Sequence, residues 1–237
     1  MGRFEGYAIA SYPNTELSLT KSSVRLDFKR TRLAFDLVPM LAGSVPDTQI
    51  LIRKDGDRRQ TSVQKHIDFM TSRTRKSNDL PGRVKFNECV RLTKWWRDVA
   101  SGGDADKYPT MLIDLLCAKA FDERGVAKTY PDTLADWFTY LAHVAAGRDP
   151  IFFSDYLRWS EAPPSRPWAV IDPVTLDNNI AGKLTESDAR QLAAWLADAR
   201  DAILAAISAD MDEEDSEALQ QLTRIFGNPI LHHNANS

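Results

Sequence analysis

The chain changes its hydrophobic rhythm near residue 60. Before that point apolar residues tend to alternate with polar ones, the period of a strand whose faces meet different surroundings. Residues 23–28 and 32–38 carry this pattern on either side of Lys29-Arg30-Thr31, which predicts an antiparallel hairpin. Residues 48–52, followed by Lys54-Asp-Gly-Asp57, predict another strand and a glycine turn. Beyond residue 61 the apolar positions recur at three and four. Helices are predicted near 62–75, 82–100, 109–124, 131–146, 186–208 and 215–226. Thr185 with Asp188 supplies a capping box for the fifth. Pro163-Pro164 and Pro167 break the chain before the apolar run 168–171, and the acidic run Asp210-Met-Asp-Glu-Glu-Asp215 reads as a solvated link between the last two helices. Strands first and helices afterwards predict an α+β fold, with a sheet core over 1–60 and a mainly helical lobe over 61–237.

Three places in this pattern carry chemistry. Arg32-Leu-Ala-Phe-Asp36-Leu-Val-Pro39 sets one carboxylate among apolar residues. Leu33, Phe35 and Leu37 share one face of such a strand, and Arg32, Ala34, Asp36 and Val38 share the other. A carboxylate taken out of water there needs compensation, either a cation such as Arg32 or a bound metal ion; the alternative is an Asp at the end of a half-exposed strand. In the helix near 82–100, Phe86, Cys89, Val90, Leu92, Trp95, Trp96 and Val99 cover most of the circumference, leaving Asn87, Arg91, Lys94 and Asp98 on one narrow stripe. That stripe either lines a cleft, where the Arg91 fork suits phosphate oxygens, or faces solvent with an Arg91–Glu88 or Lys94–Asp98 pair worth little. Thr110 opens the next helix and shares a face with Asp114 at i and i+4. It can reach a ligand or act as an N-cap.

Composition narrows the class. With 43% hydrophobic and 27% charged residues, six Trp and ten Phe, the 237-residue chain has the makings of a globular core rather than a disordered segment. The net charge of −3 makes no global case for nucleic-acid binding, although 53–97 is locally rich in Arg and Lys. Cys89 and Cys117 belong to no zinc-type cluster and suit a reducing compartment. No apolar run approaches the ~20 residues of a membrane span, and the expected setting is the cytoplasm. The four histidines form no catalytic arrangement, and there is no Walker-type glycine loop.

Taken in order, the Asp36 strand, Val90-Arg-Leu-Thr-Lys94-Trp-Trp96, Ile171-Asp-Pro173 with Asn178-Asn179, and Arg224-Ile-Phe-Gly227 resemble the latter part of the CD-NTase family, from about residue 23 to 226. These are bacterial relatives of cyclic GMP-AMP synthase and 2′-5′ oligoadenylate synthetase. The resemblance implies a nucleotidyltransferase that joins nucleoside triphosphates of the ATP or GTP type into a cyclic or linear signalling oligonucleotide in antiphage defence, using Mg²⁺ or Mn²⁺. It implies that Asp36 is the third metal-binding carboxylate and helps activate the attacking hydroxyl, that Lys94 and Arg91 contact the triphosphate, and that Thr110 supplies a hydroxyl to the nucleotide. Nucleic acid and membrane are not expected partners. The late loop of Asp172, Asn178 and Asn179 is expected to be chiefly structural.

One departure accompanies the match. Family members place a Gly-Ser loop and an Asp-x-Asp pair before this strand. Here Gly2 and Gly6 are not followed by Ser, and Glu5 and Glu16 are the only acids before Asp27. Asp55-Gly-Asp57 lies beyond the strand and reads as a turn, and Asp210-x-Asp212 lies in the acidic link. The expectation is a family member that begins inside its sheet, by a misassigned start or a broken coding region, and is inactive or incomplete as this chain. The alternative is a non-catalytic module that binds a nucleotide or a protein.

Overall fold

The protein is described by a computed structural model over residues 6–7, 10–12, 15–20, 22–31, 33–53, 55–102, 107–155, 168–175 and 178–227. It divides into two compact units, 1–67 and 68–237.

The first unit holds two antiparallel three-stranded sheets. One is ordered β1 (Thr15–Leu19), β2 (Val24–Phe28), β3 (Leu33–Leu37), and the other β4 (Met40–Ala42), β5 (Gln49–Ile52), β6 (Arg58–Thr61). The predicted 23–38 hairpin is β2–β3, with Val24 opposite Leu37, Leu26 opposite Phe35 and Phe28 opposite Leu33. That register gathers the apolar side chains on one face, since side chains alternate along each strand. Phe28 meets Tyr12 and Phe35 edge-on, with centroids 5.6 and 5.8 Å away. Val24 and Leu26 are buried, whereas β3 is exposed along its whole length. The predicted glycine turn joins β5 to β6. The Arg53 amide donates to the Asp57 carbonyl at 2.9 Å, and Gly56 takes φ 84°, where a side chain would be strained. The sequence pattern does not predict β1, β4 or β6. Each is short, and Arg58-Arg-Gln-Thr61 has no apolar alternation, so its strand conformation comes from pairing with β5.

Six helices follow: α1 (Val63–Asn78), within which the division between units falls, then α2 (Phe86–Ala100), α3 (Thr110–Arg124), α4 (Tyr130–Gly147), α5 (Glu186–Met211) and α6 (Asp215–Phe226). The middle of α3 is apolar on nearly every side, with Leu112, Ile113, Leu115, Leu116, Cys117, Ala118, Ala120 and Phe121 buried. A helix of that kind belongs inside its domain. Around it, Trp96 of α2 lies on Phe138 of α4 at 4.9 Å, and Phe86 lies on Phe121 at 5.1 Å. Arg73 of α1 is fully buried, stacked 3.9 Å from the Phe69 ring centre and paired with Asp122 of α3. The capping box forms as predicted, Thr185 accepting from the Asp188 amide and Asp188 from the Thr185 amide. The acidic run is shorter as a link than its sequence suggests. Helix α5 continues to Met211, and Glu213 turns the chain at φ 62° before α6 begins. No helix among the described residues is long and apolar enough to cross a membrane.

Candidate functional site

Helix α2 packs against α3 and α4, with Phe86, Cys89, Val90, Thr93 and Trp96 buried. Lys94 sits at the border of that contact. Its side chain keeps 30% exposure, and its Nζ lies 2.6 Å from Oδ1 of Asp114 on α3, whose side chain keeps 17%. Oδ1 has no contact with water and no aligned hydrogen bond, so this is a charge pair first. Burial pushes the Asp114 carboxyl above the ordinary carboxylate range, and the ammonium of Lys94, with Arg97 behind it, pulls it part of the way back. Arg97 is itself buried. It donates from Nη1 to the Tyr108 carbonyl at 2.7 Å and pairs through Nη2 with Asp98 at 2.6 Å, which ties the end of α2 to the segment entering α3. Tyr108 donates its hydroxyl to the Asp188 carbonyl at 2.9 Å. The Asp188 carboxylate lies 2.6 Å from Lys107 and accepts from Thr185; together these hold its pKa down to about 2.

Arg91 takes no part in the Lys94–Asp114 pair. It is exposed and, with Glu88, Leu92, Trp95 and Tyr130, lines a groove of about 570 Å³. The polar stripe predicted on α2 therefore divides. Asn87, Arg91 and Asp98 face solvent, while Lys94 turns in against α3. Neither local pair foreseen for it forms among the described residues. Glu88 takes the Tyr130 hydroxyl, and Asp98 takes Arg97. Trp95 and Val99, expected in the apolar surround, are exposed at 38% and 36%, with Trp95 resting 5.7 Å from Phe226. Thr110 is exposed at the first turn of α3. The N-cap is Pro109, without a side-chain cap, so the capping role considered for Thr110 is not the one it has.

In the sheet unit, Asp36 is exposed on β3, so the desolvation expected from its apolar neighbours does not arise. Its cross-strand neighbour is Arg25, and the Ser23 hydroxyl donates to Oδ1 at 3.5 Å. Arg25 is engaged by Asp27 through Nε at 3.1 Å. Arg32, the cation proposed for Asp36, lies outside the described residues. The late loop is structural as expected. Asp172 Oδ1 accepts from the Val174 and Thr175 amides, Oδ2 accepts from Asn178, and Asn179 bonds the Val170 amide and the Trp168 carbonyl. Asp55-Gly-Asp57 is the β5–β6 turn, with Asp57 held by Arg53 and Arg59.

No family model matches the chain. Cyclic AMP-AMP-AMP synthase of Escherichia coli strain MS 115-1 is 30% identical over 190 residues, which is 79% of this chain and 58% of that protein. The CBASS oligonucleotide cyclase CdnC of Escherichia coli strain KTE188 is 24% identical over 189 residues, 76% of this chain and 55% of the relative. The solved structure of Escherichia coli MS115-1 CdnC with ATP superposes with a TM-score of 0.77 at 28% identity, over 96% of this chain and 71% of that one. The chain belongs to the CD-NTase family. The CD-NTase CdnG of Bradyrhizobium diazoefficiens, solved with GTP, shares the fold at 13% identity and a TM-score of 0.68, covering 95% of this chain and 69% of its own. This CD-NTase chain spans a little over half the length of its curated relatives.

For this CD-NTase chain the metal question turns on oxygen donors. Mg²⁺ takes about six ligands in a near-octahedral shell. The described residues hold no group of three acidic, His or Cys side chains arranged to bind an ion. Asp36 alone does not make the site. The thiols offer nothing in its place, since burial pushes both Cys89 and Cys117 up to about 12 and keeps them neutral. The interhelical partner Asp114, the buried Arg97 and the cross-strand Arg25 are the site neighbours that sequence reasoning missed. The i, i+4 spacing of Thr110 and Asp114 was the one signal pointing to any of them.

Proposed function

We propose that this CD-NTase chain carries the part of an oligonucleotide cyclase that grips a nucleoside triphosphate of the ATP or GTP class. Lys94 is the principal triphosphate contact, Arg91 a second cation, and Thr110 a hydroxyl available to the nucleotide. The observation that supports this most is the Lys94 ammonium, fixed at the α2–α3 border yet still open to solvent. The CdnC relative solved with ATP supports the ligand class, and the CBASS relatives support a setting in antiphage defence; the cytoplasm is the location that goes with this reading.

Joining nucleotides is mostly positioning and charge neutralisation, with two divalent metals clamping the attacking and leaving oxygens. Asp36 would be one ligand of such an ion, Mg²⁺ or Mn²⁺. Among the described residues no further carboxylates gather with Asp36 to complete such a site, so the reading for these 237 residues is binding without turnover. Equilibrium dialysis with labelled ATP and GTP and Mg²⁺ or Mn²⁺, followed by chromatography of the mixture, tests this. Bound label with no oligonucleotide product is expected. Oligonucleotide made by this chain alone would overturn the absence of turnover, and absence of bound label would overturn the triphosphate reading.

A second reading has a specific observation behind it, because Escherichia coli MS115-1 CdnC is also solved in a complex with HORMA-deltaN. On that reading the chain is a module that binds a HORMA-type protein. It would co-elute with such a protein in gel filtration while ignoring nucleotides.

A further inference from the structure

We propose that Asp114 is a positioning residue for triphosphate binding: it anchors the Lys94 ammonium from beneath as a charge pair and leaves the open side of the ammonium to solvent. This rests on the reading of Lys94 given above. A lysine head is a point charge with three rotatable donors on a flexible four-carbon stem. Left free, it would have to be ordered each time an anion bound, and that ordering weakens binding. Here the ordering is built in. Nζ is 2.6 Å from Oδ1 of Asp114, the two groups come from different helices, and both helices are fixed in the core.

The order of burial sets the direction. Oδ1 of Asp114 is sealed from water, whereas Lys94 keeps 30% of its side chain exposed. At Oδ1 the ammonium therefore stands between the carboxylate oxygen and the solvent, and a polyanion arriving on that side meets the cation first. The other charge facing Asp114 is Arg97, whose Nη1 and Nη2 are committed to the Tyr108 carbonyl and to Asp98, while its buried Nε has no hydrogen-bond partner among the described residues. Cys117, one turn along α3, is a neutral thiol. The anchor thus acts on Lys94 in particular.

The test is a double-mutant cycle on the full chain, titrated with a fluorescent ATP analogue and Mg²⁺. Lys94→Met is expected to weaken binding about tenfold or more, the scale of a lost charge-assisted hydrogen bond. Asp114→Asn is expected to weaken it about fivefold with Lys94 intact, the scale of re-ordering one long side chain. In the Lys94→Met background Asp114→Asn should have no further effect, and Asp114→Glu should bind nearly as the parent does. Equal weakening by Asp114→Asn in both backgrounds, or none in either, overturns the anchoring role while leaving Lys94 as a contact. An unchanged affinity in Lys94→Met overturns the Lys94 reading itself. A second measurement needs no folded Asp114 variant. In the unmodified protein the Lys94 ammonium, assigned by its loss in Lys94→Met, should give a slowly exchanging NMR signal that persists and shifts when MgATP is added. A freely exchanging, unobservable ammonium overturns the proposal.

Discussion

Replacing Lys94 leaves the Asp114 carboxylate half-buried, with Arg97 as the remaining cation that acts on it. Breaking a buried pair costs more than the pair itself contributes, because one charge stays behind without its partner. Lys94→Met is therefore expected to lower stability by about 2–3 kcal/mol near neutral pH. The pH dependence follows from the direction of the Asp114 shift. Its folded-state pKa is raised, so the folded protein holds that proton more tightly than the unfolded chain does. A raised carboxyl costs stability increasingly as pH climbs from the unfolded value through the folded one. Loss of Lys94 raises it further, so the penalty of Lys94→Met should be larger at neutral pH than at about pH 4.5, the region just above the unfolded Asp value. Urea unfolding at the two pH values checks this, and a penalty that grows in acid would refute it. At this scale the sequence was partly legible. The cation was visible on α2, but its partner was sought locally, at Asp98. The actual partner lies sixteen positions beyond Asp98 on another helix, where only packing could place it. Of the two readings open for Asp36, desolvation among apolar neighbours and a half-exposed strand, the exposed β3 favours the second.

The helical elements were legible because their periodicity is strong and their termini are signed. Thr185 and Asp188 both predicted and form the start of α5. Thr185→Ala should lower stability by about 1 kcal/mol, as loss of a good N-cap does. Asp188 adds a pH signature of opposite sign to that of Asp114. Lys107 and Thr185 hold its folded pKa down to about 2. Its contribution is complete above the unfolded value of about 3.9 and disappears as pH falls through about 2. Acid titration followed by circular dichroism should show this loss in the parent and a weaker one in Lys107→Met. An unchanged acid profile would contradict the assignment. Strands were harder to read. β2 and β3 carry alternation and β5 an apolar run of its own, whereas β6 is polar throughout and β4 has three residues, so the pairing partners of β4 and β6 decide their conformation.

Across the whole molecule, the two units differ in how much they bury. Among the described residues, the first sheet encloses Val24 and Leu26 and leaves Leu33, Phe35 and Leu37 exposed, while the helical unit assembles a continuous apolar core around α3. The helical unit therefore supplies the rigid frame that a phosphate contact needs, and rigid elements hold such groups more exactly than loops do. Family membership was legible because the motifs keep their order along the chain, although none is strong alone. The division of the polar stripe on α2 was not, because a helix drawn from sequence has no neighbour to turn toward. A crystal structure of the full chain with ATP and Mg²⁺ is the most direct test. Triphosphate oxygens should lie within about 3.2 Å of the Lys94 Nζ, ordinary hydrogen-bond reach, with Asp114 still holding its other side. A triphosphate bound away from Lys94, or a Lys94 that leaves Asp114 to reach it, would contradict the central claim.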